Sequence, residues 1–147
     1  MIRVQREDFD PGHELAEMTR GRTDLGAAVS FVGLVRDLGG EESVKAMTLE
    51  HYPGMTEREL GRIVAEAEAR WDLSDCRIVH RHGRLEPGDR IVLVITTSRH
   101  RHAAFEACAF LIDWLKTRAP FWKHEEGPRG AHWVAARADD EEAAGRW

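Results

Sequence analysis

Five consecutive apolar residues, Ile91-Val92-Leu93-Val94-Ile95, follow the turn signal Glu86-Pro87-Gly88-Asp89. A β-branched run of that length without alternation predicts a strand in the centre of a sheet. Everything else must pack around it. Downstream, apolar residues at Phe105, Cys108, Ala109, Ile112 and Leu115 predict one buried face of a long helix, about Arg101 to Arg118. Ser98 is placed to cap that helix, and Pro120 stops it, biasing Ala119 toward an extended backbone. Upstream, strands are predicted at Ile2 to Gln5, Gly26 to Val35, Val44 to Tyr52 and Cys76 to Leu85, with Arg90 to Thr97 as the central one. A helix introduced by Asp10-Pro11-Gly12 runs through Leu15 and Met18 to near Gly21. A second carries Leu60, Ile63, Val64, Ala67 and Trp71 on one face, and Thr56 with Glu59 has the spacing of a capping box. Residues 37 to 43 read as a mobile polar loop, Trp133-Val134 as part of a last strand, and Asp139 to Glu142 as an acidic tail or helix start. Strands and helices alternate irregularly, so the expected class is α+β, a single domain over residues 1 to 147 with a mixed or antiparallel sheet and packed helices.

The charge balance narrows the function. A net charge of −5 opposes general nucleic-acid binding, which needs a basic face. No apolar run reaches membrane-spanning length, and Met1-Ile2-Arg3-Val4-Gln5-Arg6 lacks the apolar centre of a signal peptide, so the expectation is a cytoplasmic protein without membrane partners. Cys76 and Cys108 are too few for a disulfide framework and read as buried thiols that pack as small hydrophobes.

Against that acidic background, Leu115-Lys116-Thr117-Arg118-Ala119-Pro120-Phe121-Trp122-Lys123-His124-Glu125 concentrates cations beside two large aromatics. The pattern suits a small anionic ligand that is partly shielded from water; the plain alternative is a basic helix end complementing the macrodipole. Arg99-His100-Arg101-His102 opens the long helix, where backbone N–H groups already favour anions and extra cations oppose the dipole. Such a placement breaks a local rule, which points to function. Arg36, after the strand ending Phe31-Val32-Gly33-Leu34-Val35, has the geometry to clamp a phosphate. In a strand, His80 and His82 project from one face, and His100 and His102 would extend a zinc-hydrolase reading. No H-E-x-x-H, cysteine pair or carboxylate cluster completes that metal set, and Walker, dinucleotide and nucleophile-elbow motifs are absent.

Several ordered stretches carry a family resemblance: Phe31 to Arg36, Leu49-Glu50-His51-Tyr52-Pro53-Gly54-Met55-Thr56, His80 to Leu85 with Pro87-Gly88-Asp89, Thr97 to Arg101 with Ala104 to Ala107, and Leu115 to Lys123. Together they resemble the large, catalytic subunit of molybdopterin synthase across nearly the whole chain. The resemblance implies an α/β-hammerhead type of fold and an enzyme of molybdenum cofactor biosynthesis. Its reaction would transfer sulfur to cyclic pyranopterin monophosphate, making the dithiolene of molybdopterin. The sulfur would come from a ubiquitin-like small subunit bearing a C-terminal Gly-Gly thiocarboxylate. This chain ends Gly145-Arg146-Trp147, so it would be the receiving subunit. The resemblance further implies a homodimer of this chain within a heterotetramer, and no resident cofactor or metal. Lys116 and Lys123 match the catalytic lysines; Leu34, Val35, Arg36, His100, Arg101, His124 and Glu125 match substrate-contacting positions. Where the family often has lysine, this chain has Leu34, which removes a charge.

Helix geometry adds a constraint. Arg101 and Lys116 are 15 positions apart on one predicted helix, about 22 Å along its axis at 1.5 Å per residue. A pterin monophosphate is roughly half that length, so one copy cannot bring both residues to one substrate. Either His100 and Arg101 serve something else, or they reach the pocket of a neighbouring copy near its Lys116, Lys123 and Arg36; the resemblance implies the second, a site shared between two copies. A non-catalytic module that only docks a ubiquitin-like partner is the alternative of another class.

Overall fold

The computed structural model describes all residues except 38, 40–42, 44, 128–129 and 135–137, with 131–134 described by backbone alone. Among them, eight strands and four helices follow in the order β1 (Ile2–Gln5), α1 (Pro11–Thr19), β2 (Ala27–Leu34), β3 (Ala46–His51), α2 (Met55–Arg70), β4 (Asp75–Arg81), β5 (Gly83–Leu85), β6 (Arg90–Ser98), α3 (Arg101–Thr117), β7 (Phe121–Gly127), β8 (Gly130–Val134) and α4 (Ala138–Ala144). The strands form two four-stranded sheets, ordered β1-β4-β6-β2 and β5-β3-β7-β8. β1 and β4 are parallel and the other pairs antiparallel. The α+β class expected from the sequence is the class observed.

The apolar run lies in β6, between β4 and β2, and it is buried from Ile91 through Ser98. Its alternate side chains serve two cores. Val92 and Val94 join Leu60, Ile63 and Ala67 of α2 and Leu111 and Trp114 of α3. Leu93 and Ile95 join Phe9, Val79 and Met18 of α1. A strand covered on both faces has no solvent side to alternate toward, which explains the unbroken apolar sequence.

Four local expectations are corrected. The predicted strand from Cys76 to Leu85 is two strands in different sheets: the chain leaves β4 at Arg81, and Gly83 takes φ +93°, a left-handed turn into β5. His80 and His82 therefore do not share one strand face. The long helix turns a different side inward, with Ala104, Ala107, Cys108, Phe110, Leu111 and Trp114 buried and Phe105 60% exposed. Ser98 ends β6 rather than capping α3; its hydroxyl donates to the Asp72 carbonyl at 2.7 Å and accepts from His100 N–H at 3.2 Å. Glu57, not Glu59, closes the start of α2 by accepting from Gly54 N–H at 2.6 Å. Thr56 is fully buried there, accepting from Tyr52 N–H at 3.1 Å, while Glu59 pairs with Arg62. Much of the polar loop read at 37 to 43 lies outside the described residues, as does Val44 of the predicted third strand. Both thiols are free and buried, and burial pushes them up to about 12 at Cys76 and about 11 at Cys108. Neither is a nucleophile at neutral pH.

Candidate active site

The segment 115–125 is shaped by one interruption. α3 ends at Thr117, with Arg118 and Ala119 N–H both donating to the Trp114 carbonyl at 2.8 and 3.2 Å. Pro120 cannot continue the helix, and Phe121 N–H donates to the Ala119 carbonyl at 2.7 Å in a tight reversal. Thr56 Oγ1 donates to the Pro120 carbonyl at 3.4 Å, tying the reversal to the start of α2. The chain then runs back as β7, a strand that the sequence pattern did not disclose. Phe121 pairs with His51 and Lys123 with Leu49 of β3.

That reversal brings Lys116 and Lys123 to one cavity of about 100 Å³. Its walls are Ile112, Leu115 and Thr117 of α3, Ile91 and Val92 of β6, Leu49 of β3, Ala119, Phe121 and His80. Two lysines thus line a cavity whose other walls are mostly apolar, where charges act on a ligand with less screening than in water. Period-two alternation in β7 puts Phe121 and Lys123 on the cavity side. Trp122 faces away, 40% exposed and edge-on to Tyr52 with ring centroids 4.5 Å apart. His124 and Glu125, half-buried opposite Thr48 and Met47, are not among the cavity walls.

His80 is the residue that sequence reasoning placed in a metal set and missed as a cavity wall. It is 6% exposed, stacked on Phe121 at 3.8 Å and 15°, with Nδ1 2.7 Å from the Arg81 carbonyl oxygen. Burial pushes its pKa down to about 3, against the pull of the Arg81 carbonyl, and Lys116, Lys123 and His51 add to the depression. The ring is therefore neutral at physiological pH. His82 lies outside the cavity, its ring 4.2 Å from that of His51. Among the described residues no group of three or more His, Cys, Asp or Glu side chains is placed to hold a metal ion.

The remaining expected site residues divide by sheet register. Leu34 pairs with Arg90, so Arg36 emerges at the cavity end of β6 and is exposed. Val35 is buried, its N–H donating to the Asp89 carbonyl at 2.9 Å, and Leu34 is 55% exposed. His100 and Arg101 follow Ser98 at the other end of β6, and both are exposed. The structure thus gathers Lys116 and Lys123, brings Arg36 to the same end, and leaves His100 and Arg101 at the far end of the molecule. Among the described residues, no helix is long and apolar enough to cross a membrane.

Comparison with known proteins gives consistent matches. The family model described as MoaE protein matches residues 4–118. The molybdopterin synthase catalytic subunit of Pseudomonas aeruginosa is 55% identical over 146 residues, covering 99% of this chain and 97% of that one. The solved molybdopterin biosynthesis MoaE protein of Burkholderia ambifaria superposes with a TM-score of 0.84 at 51% identity, covering 100% of this chain and 97% of that one. Molybdopterin synthase of Staphylococcus aureus superposes with a TM-score of 0.82 at 30% identity, covering 90% and 96%.

Proposed function

The chain belongs to the MoaE protein family, and from that premise we propose how its cavity carries out sulfur transfer as the catalytic subunit of a molybdopterin synthase. The relatives are catalytic subunits, parts of a larger assembly. The sulfur donor in this reading is a small ubiquitin-like subunit ending in a Gly-Gly thiocarboxylate, and the acceptor is cyclic pyranopterin monophosphate in the cytoplasm. One observation carries the assignment: Lys116 and Lys123 share a cavity whose other walls are mostly apolar.

The chemistry asks for positive charge at two places. Sulfur leaves the carrier's acyl carbon as it bonds to the pterin side chain, and the acyl group passes to water. The cyclic phosphate opens, and its departing oxygen needs a cation or a proton. Two lysines in a poorly screened pocket stabilise both developing charges, each an effect of about 10²–10³ in rate where one preorganised donor is removed. A lysine also supplies a proton shuttle or an amine able to take the acyl group. A glycine tail, having no side chains, suits a narrow approach beside Phe121.

The cavity in one copy is small. Drug-sized ligands occupy pockets of about 300–1,000 Å³, against about 100 Å³ here. Arg36, exposed at the same end, extends it, and His100 and Arg101 of a second copy complete it across a two-fold axis. The test is reconstitution with thiocarboxylated carrier and cyclic pyranopterin monophosphate, scoring the dithiolene product. Lys116→Ala should lose at least about 10²-fold in kcat/KM with carrier binding intact. Full turnover by that variant would leave a docking module and end the catalytic reading.

A further inference from the structure

A buried histidine serves packing well enough as a ring; His80 is held in a way that packing does not require. One edge is fixed, because Nδ1 lies 2.7 Å from the Arg81 carbonyl oxygen. A carbonyl only accepts, so Nδ1 bears the proton and Nε2 keeps the lone pair. One face is fixed by Phe121, parallel within 15° at 3.8 Å. The ring is only 6% exposed and forms part of the cavity wall, so what its free edge meets is decided by the cavity and its ligand.

The charged and titratable groups around the ring all oppose a second proton: Lys116 from α3, Lys123 from β7 and His51 from β3. Lysine ammonium groups only donate. The cavity would otherwise offer a ligand two donors and apolar wall, which suits any small anion equally well. A clamped acceptor changes that selectivity. Leaving a buried acceptor unpaired costs more than a hydrogen bond gains, so such a group rejects ligands that lack a matching donor.

We propose that His80 is a specificity-determining residue of this site, whose Nε2 accepts a hydrogen bond from an N–H or O–H of the bound substrate while the lysines take its anionic part. The inference rests on the reading of the lysine cavity as the sulfur-transfer site. It identifies the ligand chemistry as an anion carrying a donor a few ångströms from its charge, as in a reduced, hydroxylated heterocycle bearing phosphate, and disfavours a bare phosphate.

The experiment uses the wild-type assembly with thiocarboxylated carrier, alongside His80→Phe, His80→Gln and Lys116→Ala. His80→Phe keeps the stack on Phe121 and removes the acceptor; it should lower kcat/KM for the pterin about 10- to 100-fold. Its inhibition constant for inorganic phosphate should stay within about twofold of wild type, because phosphate needs only the lysines. His80→Gln, which keeps an acceptor at similar reach, should recover much of the loss. Nitrogen-15 spectra of the unmutated protein should show the neutral Nδ1–H tautomer down to pH 5, and Nε2 should shift when the pterin binds. Wild-type kcat/KM in folded His80→Phe, equal weakening of phosphate and pterin, or an Nε2–H tautomer would each overturn the proposal. Failure of the underlying reading looks different: Lys116→Ala would then turn over like wild type.

Discussion

If the active site is built from two copies, two dead variants should make one live enzyme. Arg101→Ala removes an exposed side chain at the first residue of α3, and Lys116→Ala removes a cavity wall in its last turn. The separation can be measured along two independent rulers. Fifteen helical steps from Arg101 to Lys116 span about 22 Å, and eight strand steps from Arg90 to Ser98 on β6 span about 27 Å. Neither distance can be bridged by one pterin monophosphate, so if Arg101 takes part in the reaction it does so at the Lys116 cavity of a second copy. Each variant alone should fall at least about 10²-fold in the reconstituted assay. When the variants are mixed equally and copies exchange freely, half of the dimers are mixed. One site in each mixed dimer then has both residues and the other has neither. Recovered activity is therefore about a quarter of wild type, one half of the dimers times one of two sites. Exchange is verified by mass spectrometry of isotopically distinct copies. A mixture as inactive as its parents, with exchange verified, refutes the shared site and detaches His100 and Arg101 from the chemistry.

Two further outcomes follow from the fold. His80 is neutral when folded, with its pKa pushed down to about 3, whereas in the unfolded chain it titrates near 6.5. Below that pH the unfolded chain binds more protons, so stability should fall on acidification by up to about 1.4 kcal/mol per pH unit. His82, also lowered by burial, acts in the same direction, while the lowered carboxyls of Asp8 and Asp24 matter only below the ordinary aspartate range. Denaturant midpoints between pH 6 and 4.5 should show the slope, and His80→Gln should flatten it; an unchanged slope would contradict the buried neutral ring. At Gly26, an added Cβ would lie 1.9 Å from the Arg99 carbonyl oxygen, beside the bond from Gly26 N–H to the Ser98 carbonyl at 3.0 Å. Gly26→Ala should cost about 2 kcal/mol or more, lowering Tm by about 4–8 °C, and should reduce turnover by displacing the approach to His100 and Arg101. A variant with wild-type Tm and activity would show that this close approach is dispensable.

What could be read in advance followed the strength of local signals. The β6 run, the α2 stripe and the Pro120 stop are contiguous patterns, and the structure repeats them. The inward side of α3 escaped that reading because weighting by hydrophobicity favours Phe105, whereas close packing favours small residues. Ala104 and Ala107 are fully buried, and Thr96 Oγ1 donates to the Ala104 carbonyl at 2.7 Å, an approach that a large side chain would obstruct. The polar sequence of β7 has little strand character of its own; β3 and β8 supply its pairing from elsewhere in the chain. His80 showed only its residue type, since a strand histidine acquires its meaning from what the other sheet lays against it, here Phe121.

The lysine pair shows why a site can be legible while its geometry is not. Lys116 and Lys123 are seven residues apart, a spacing that places two side chains on one face of an uninterrupted helix. They do meet, by another route. Pro120 ends α3, the chain reverses, and alternation along β7 returns Lys123 to the cavity beside Lys116. In a helix the pair would be about 10 Å apart along the axis and open to solvent. The reversal instead puts the two lysines in the wall of one cavity with Leu49, Ile91 and Val92 of two different sheets, where charges are screened less than in water. Pro120 thus shapes the cavity: without the interruption, Lys123 would remain on the helix, away from the cavity wall that His80 forms.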